Sequence, residues 1–352
     1  MRLVLSRREP LAGWVQMLVP AGAIAITLLL AAIPIKIAGG GLLVSYSSLF
    51  RGALGTRYNF LETCVKASPL ILTGLSVAFA FRAKFWNIGA EGQLLAGAIA
   101  AAFVGVNFAS LPSPVLILII TVSGFAAGGA WAMIPSFMKI RLKVDDVVST
   151  LLLNYVMLNF MGFLLFGPMQ QEGSSWPRSA SIAEAARYPI LLARSRFHFG
   201  IVISIAAIFV VWFINSKTAF GYEAKAIGAN DRASSFGGIA KTKVMLLTAL
   251  VSGGLAGLAG VGEVCAIHFH LLMDVSPGFG YSGIVIAMLA RLHPVGVMLS
   301  AFFFSVIIVG AQSMSRITGV PTYIADVIQG MALLIMLVAL LLTEYRVKAA
   351  FK

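Results

Sequence analysis

Long apolar stretches separated by short polar segments run through almost the whole sequence. Their spacing predicts ten helices, at 14–35, 67–81, 88–106, 115–137, 147–166, 200–214, 244–262, 281–289, 295–311 and 323–342. A helix needs about 20 apolar residues to cross a bilayer, and interrupted helices are shorter. The weakly apolar segment 42–50 is predicted to lie at the membrane interface. The pattern predicts an all-α integral membrane protein with one transmembrane domain over residues 1–352.

Composition and charge agree with a membrane location. The chain is 59% hydrophobic and 11% charged, whereas a soluble domain carries about 25% charged residues. The net charge of +13 comes from basic residues at the ends of apolar runs. Such residues set membrane orientation, and no basic patch is interleaved with aromatic residues as in nucleic-acid-binding proteins. The composition therefore argues against nucleic acid and indicates lipid as the surrounding partner.

The distribution of lysine and arginine predicts which side of the membrane each loop occupies. With the N-terminus placed in the cytoplasm, most of the 26 basic residues fall on the cytoplasmic side, as the positive-inside rule requires. Ten crossings put the C-terminus on the same side. The longest loop, 167–199, then lies outside, and a short helix is predicted there at 182–187.

Two glycine-containing segments at helix starts indicate an internal repeat. Gly89 and Gly92 begin one apolar helix, and Gly280 and Gly283 begin another. In the predicted topology these two helices run in opposite directions. Transporters often contain such inverted repeats, with broken half-helices near the bilayer midplane. We predict repeat halves at about 67–166 and 244–342.

The densest polar cluster beside a predicted span contains Asn87, Glu91 and Gln93. A carboxylate a few residues inside an apolar helix is costly unless it is paired or hydrated, so it is a candidate functional group. The free N–H groups of a half-helix, with these side chains, suit binding of a polar solute. The alternative is that Glu91 pairs with Arg82 or Lys84 and stabilises the fold.

Several other polar residues have structural explanations. Asp145 and Asp146 open a predicted span, where they favour the helix dipole and cap the helix. Asn154 and Asn159, deeper in that span, are predicted to pack between helices, with a position on a solute path as the alternative. His293 before Pro294 marks a helix boundary, with a proton-relay role as the alternative.

The sequence offers no catalytic or metal-binding motif. His268 and His270 lack helical i,i+4 spacing, and the two cysteines, Cys64 and Cys265, lie far from each other. A polar loop is therefore favoured over a zinc site. The phosphate-binding motif of nucleotide-hydrolysing proteins is also missing. We expect no catalytic residue and no cofactor on this chain, with any ATP hydrolysis on a separate subunit.

The polar segment 221–239 lies between two apolar runs and carries charges of both signs. Its sequence, GYEAKAIGANDRASSFGGI, contains glycines at 221, 228, 237 and 238. Glycine at such intervals is typical of short structured elements rather than of a disordered linker. We expect this cytoplasmic loop to present a surface to another protein.

Three motifs in order resemble one family. FWNIGAEGQ, DDVVSTLLLNY and EAKAIGANDRASSFGGI are similar to segments of ABC-transporter permeases of the ribose/branched-chain amino acid class. Within it, the chain looks most like nucleoside and simple-sugar permeases, from about residue 67 to 342. The resemblance implies a bacterial plasma (inner) membrane location. It also implies a pair of permeases, identical or paralogous, with a cytoplasmic ABC ATPase and an extracytoplasmic solute-binding protein.

The resemblance also implies that the 221–239 loop is the coupling helix that docks on the ATPase. The matching positions are Glu223, Ala224, Gly228, Asn230, Ala233 and Gly237. The chain departs from the usual pattern where Asp231 replaces a proline and Ser234 and Ser235 replace part of an alanine-containing pair.

Two other functions remain alternatives at this level. In an ion- or proton-coupled secondary transporter, Glu91 and Asp326 would carry the coupling ion. An integral membrane enzyme is the weaker alternative, because the sequence contains no catalytic set. Glu91 is thus a candidate solute contact in an importer and a candidate ion-coupling residue in a secondary transporter.

Overall fold

The computed structural model describes residues 2–7 and 13–350, and the side chains of residues 18–343. Helices dominate this part of the chain. They are α1 (Gly13–Ile37), α2 (Leu42–Leu54), α3 (Arg57–Arg82), α4 (Ala90–Asn107), α5 (Ser113–Phe137), α6 (Asp146–Leu165), α7 (Phe199–Lys217), α8 (Ala219–Ala229), α9 (Asp231–Phe236), α10 (Lys241–Gly262), α11 (Phe279–Leu289), α12 (Pro294–Thr318) and α13 (Ile324–Glu344). Strands β1 (Arg2–Arg7) and β2 (Tyr345–Ala350) pair antiparallel, so both ends of the chain lie on the same side of the helices.

Nine helices of the described chain are long and apolar enough to cross a membrane, and α11, with 11 residues, is a shorter apolar helix. This confirms the prediction of an all-α integral membrane protein with about ten membrane helices. The predicted first helix at 14–35 corresponds to α1. The apolar side chains on the outer faces of the bundle, such as Leu29 and Leu334, are exposed as expected of surfaces that contact lipid.

Two boundaries differ from the sequence prediction. Helix α3 begins about ten residues before the predicted 67–81. The prediction missed its first turns because polar residues interrupt the apolar run there. One of them, Glu62, is buried and paired with Arg196 of the outer loop. The segment predicted at the interface forms α2, which packs so closely on α12 that a Cβ on Gly52 would overlap Ser313.

In the core, helices α4, α5 and α10 pack closely against one another at glycine residues. A Cβ on Gly97 would lie 2.2 Å from the Gly257 carbonyl oxygen, and one on Gly257 would lie 2.2 Å from that of Gly124. Likewise, Gly128 and Gly253 meet backbone to backbone. Small residues permit such close approach in membranes, where van der Waals packing rather than the hydrophobic effect holds helices together.

This packing predicts that Gly257→Ala destabilises the chain. The new methyl group overlaps the backbone of α5, so α5 and α10 must separate, at an expected cost of about 1–3 kcal/mol. Gly262→Ala is the matched control on α10, because a Cβ there has no neighbour within 4 Å. Melting of the purified protein in detergent measures both. Equal melting temperatures for the two variants would contradict the proposed close contact.

Candidate functional site

The polar loop 221–239, predicted to be cytoplasmic, lies within an ordered pair of short helices, α8 and α9, and the turn that follows them. The Thr218 hydroxyl accepts a hydrogen bond from the N–H of Gly221 at 3.2 Å and caps the start of α8. The Asn230 side chain accepts hydrogen bonds from the N–H groups of Arg232 and Ala233, both at 3.1 Å, and caps α9. These caps explain why a sequence rich in small and polar residues is helical here.

One face of α8 is packed against the transmembrane helices. Ala224 and Ile227 are each only 4% exposed. A Cβ on Gly228 would lie 2.2 Å from the Arg82 carbonyl oxygen at the end of α3, and one on Gly221 would lie 2.2 Å from that of Ile214 in α7. Helix α8 is therefore in direct backbone contact with the ends of α3 and α7, without a flexible spacer between them.

The other face of the loop is exposed. Phe236 is 97% exposed and Tyr222 72%. Two large exposed aromatic side chains, on the same two short helices as the exposed cations Lys225 and Arg232, form a surface suited to a protein partner. We call Tyr222, Lys225, Arg232 and Phe236 the loop surface.

The structure divides the six residues predicted to dock on the ATPase. Asn230, Ala233 and Gly237 are exposed and Glu223 is partly exposed, whereas Ala224 and Gly228 are buried against the transmembrane helices. The docking role of the set stays a prediction. Sequence reasoning missed Phe236 and Tyr222, although a phenylalanine in an otherwise polar loop was the available signal.

A second unusual region is the break between α3 and α4. Residues 85–88 are not helical, and side chains of α6 satisfy their backbone. Asp146 accepts a hydrogen bond from the N–H of Trp86 at 2.7 Å, and Thr150 accepts one from that of Ile88 at 3.1 Å. One turn further along, Asn154 accepts a hydrogen bond from the N–H of Gly92 at 2.8 Å.

These α6 residues recur every four positions and therefore share one helix face. Their spacing explains the polar positions of the DDVVSTLLLNY motif.

The predictions made for the polar residues of this helix have mixed outcomes. Asp145 caps α6 through the N–H of Val148, as predicted. Asn154 packs between helices as predicted, but Asn159 is exposed and donates only to the Tyr155 carbonyl oxygen of its own helix.

Asn87 and Gln93 form a closed buried network. The two carboxamides hydrogen-bond each other reciprocally, at 2.9 and 2.8 Å. Asn87 also donates to the Ser252 hydroxyl of α10 at 2.9 Å, and that hydroxyl donates to the Ser76 carbonyl oxygen of α3. Buried polar groups that are fully bonded in this way join helices firmly, so the network ties the broken segment to α3 and α10.

Glu91 caps α11 across the centre of the molecule. Its carboxylate accepts a hydrogen bond from the N–H of Gly280 at 2.7 Å, and the side chain is buried. A Cβ on Gly280 would lie 2.2 Å from the backbone nitrogen of Glu91, so the first turns of α4 and α11 are in contact. A carboxylate at this position also favours the helix dipole.

The alternative prediction paired Glu91 with Arg82 or Lys84, and this pairing is wrong. The guanidinium of Arg82 donates to the Asn215 carbonyl oxygen at 3.2 Å. The backbone carbonyl oxygen of Lys84 accepts a hydrogen bond from the Lys139 ammonium at 2.8 Å. Glu91 therefore stabilises the fold by bonding the first turn of α11. Asn87, Glu91 and Gln93 all form hydrogen bonds within the chain in this conformation, and their contact with a solute stays a prediction.

The inverted repeat also stays a prediction, although both glycine segments begin helices as expected.

The remaining polar candidates have local partners. His268 lies 3.4 Å from the carboxylate of Glu263, and a ring nitrogen of His270 lies 3.1 Å from the Ser179 carbonyl oxygen. His293 immediately precedes α12, as the following proline predicted. In the loop 167–199, the short helix predicted at 182–187 is the single turn Glu184–Ala186.

Comparisons with known proteins identify the family. The family described as "Branched-chain amino acid transport system / permease component" matches residues 59–337. The chain is 34% identical to the guanosine ABC transporter permease protein NupP of Bacillus subtilis, covering 92% of this chain and 93% of that protein. It is 33% identical to the glucose ABC transporter permease protein TsgB13 of Haloferax volcanii, over 87% and 83% of the two chains.

A third relative is the nucleoside ABC transporter permease protein NupB of Lactococcus lactis, 32% identical over 89% of this chain and 88% of that protein. No solved structure matches the chain. The family match spans most of the chain, from the start of α3 into α13, and so includes both the loop 221–239 and the break between α3 and α4. The chain therefore belongs to the family of branched-chain amino acid transport system permease components.

Proposed function

We propose that this chain is the membrane-spanning subunit of an ATP-driven importer for nucleosides or a related small polar solute such as a simple sugar. The observation that carries the proposal is the cytoplasmic loop, which packs on α3 and α7 through one face and exposes the loop surface on the other. The names of the relatives, which include guanosine, nucleoside and glucose permeases, support the solute class.

The partners follow from this role. A cytoplasmic ABC ATPase docks on the loop surface and supplies the motion, since this chain brings no nucleotide-binding motif. A second permease, identical or paralogous, completes the path, and an extracytoplasmic binding protein delivers the solute to the side of loop 167–199. The chain lies in the bacterial plasma (inner) membrane with both termini in the cytoplasm.

In this mechanism the chain moves as packed bodies, as in other transporters. ATP binding and hydrolysis displace α8 and α9. Because Gly228 and Gly221 contact the backbone at the ends of α3 and α7, these helices follow. The small-residue contacts of α4, α5 and α10 leave little space for deformation, so α3, α4, α5 and α10 move together.

Reconstitution tests the proposal. The chain alone in liposomes is expected to transport no guanosine under a proton or sodium gradient. Adding its ATPase, partner permease and binding protein with ATP is expected to give uptake, and replacing ATP by a non-hydrolysable analogue to stop it. Uptake by the chain alone, driven by an ion gradient, would overturn the proposal and support the secondary-transporter alternative.

A further inference from the structure

A large cavity opens between α4, α5 and α6 beneath the loop 167–180. Its volume is about 1180 Å³, somewhat above the usual range for small-molecule sites, which is about 300–1,000 Å³. It does not include Asn87, Glu91 or Gln93, and by the predicted topology it lies toward the outer side. The cavity is therefore separate from the polar network at the broken helix.

The wall combines aromatic surface with carboxamides. Phe103, Trp131 and Phe160 come from α4, α5 and α6 in turn, Asn107 is the last residue of α4, and Gln171 belongs to the loop. Of the described residues that line the cavity, none is basic, and Glu172 is the one acidic residue. The wall therefore has flat apolar surfaces for stacking and neutral hydrogen-bonding groups, without a cation to bind phosphate.

Two polar atoms of this wall are buried without a hydrogen-bond partner. They are the indole Nε1 of Trp131, a donor, and the carboxamide Oε1 of Gln171, an acceptor. Buried polar atoms are nearly always bonded, so the two unbonded atoms, each on a residue that lines the cavity, require an explanation. A solute with its own acceptor and donor would bond both after small side-chain rotations.

We propose that this cavity binds the transported solute, and that the solute it fits is a neutral nucleoside. The inference rests on the proposed function and names the residues that contact the solute. A nucleobase stacks on the aromatic rings and has donors and acceptors along its edge for Trp131 and Gln171. A nucleotide is disfavoured because its phosphate would lack a cation and would lie near Glu172. A lipid chain would leave both polar atoms unbonded.

Uptake measurements test the contact with Trp131. In cells carrying the complete transporter, Trp131→Phe keeps an aromatic ring but removes the donor, and is expected to raise the KM for guanosine about 5- to 10-fold, the value of one hydrogen bond. Trp131→Ala is expected to have a larger effect, because stacking is also lost. Trp212→Phe is the matched control, since Trp212 is a partly exposed residue of α7 outside the cavity. An unchanged KM in Trp131→Ala would overturn the proposal.

Cysteine labelling tests the site without relying on transport. Phe160→Cys is introduced after Cys64 and Cys265 have been replaced by serine, and Phe209→Cys on α7 is the control. In right-side-out vesicles with the complete transporter, a membrane-impermeant thiol reagent is expected to modify position 160 and not position 209. Guanosine is expected to protect position 160, whereas guanosine monophosphate is not.

Each other outcome of the labelling has a definite meaning. No modification at position 160 would show that the cavity is filled by lipid or a partner helix, and would overturn the proposal. Modification that guanosine does not reduce, or protection by glucose alone, would overturn the nucleoside site. Protection by guanosine in a chain that transports without ATP would instead refute the proposed ATP-driven function and leave this site standing.

Discussion

Phe236→Ala is expected to weaken binding of the ATPase about 30-fold, equivalent to roughly 2 kcal/mol for the loss of an aromatic anchor at the centre of an interface. ATP-driven guanosine uptake is expected to fall to a similar extent. The side chain is 97% exposed, so it contributes almost nothing to the stability of the isolated chain. Melting in detergent is accordingly expected to change by less than about 0.5 kcal/mol.

The control for this prediction removes the same aromatic ring elsewhere. Phe213 in α7 is 55% exposed, on a helix expected to contact lipid, and Phe213→Ala is expected to leave ATPase binding unchanged. Titration of the ATPase onto the chain in nanodiscs measures both variants. Wild-type affinity in Phe236→Ala would show that the loop surface is not the docking site.

The second prediction with a large effect concerns Glu91. Glu91→Leu removes the acceptor for the N–H of Gly280 and leaves that group unbonded in the interior, at a cost of about 1–3 kcal/mol. The approach of α4 to α11 is so close at this point that the leucine branches have little space. A marked loss of folded protein is therefore expected. Glu91→Gln keeps a carbonyl oxygen at the same position and is expected to retain most of the stability and uptake.

The pair of variants distinguishes two functions of the same carboxylate. If Glu91 carried a coupling ion, Glu91→Gln would abolish uptake while the chain stayed folded. Asp326→Asn is a suitable companion, because Asp326 is the other carboxylate assigned to ion coupling and is exposed in the first turn of α13. Loss of guanosine uptake in both amide variants, with normal melting, would favour the ion-coupled mechanism over the ATP-driven one.

The two regions have different physical roles. At the broken helix, carboxylates, hydroxyls and carboxamides are buried and bonded to backbone groups, so a substitution there acts first on stability. On the loop surface, aromatic and basic side chains are exposed, so we expect a substitution there to act first on partner binding. Measuring folding and binding for each variant separates these effects.

The sequence by itself determined the features that depend on local composition and spacing. Long apolar runs require helices in a membrane, because only a helix satisfies its own backbone there, and this predicted the membrane helices and the structured loop. Burial of Glu91 also followed from its place in an apolar helix. Glycines near residues 89 and 280 correctly predicted helix starts.

The tertiary structure alone decided which residues meet. Glu91 and Gly280 are 189 positions apart, and Asn87 and Ser252 are 165 apart, so local patterns contain no information about these pairs. The same holds for Ala224 and Gly228, which the helix α8 turns toward the transmembrane body, while Phe236 is left exposed. Which side of a helix is buried depends on where neighbouring helices pack, and that is a property of the whole fold.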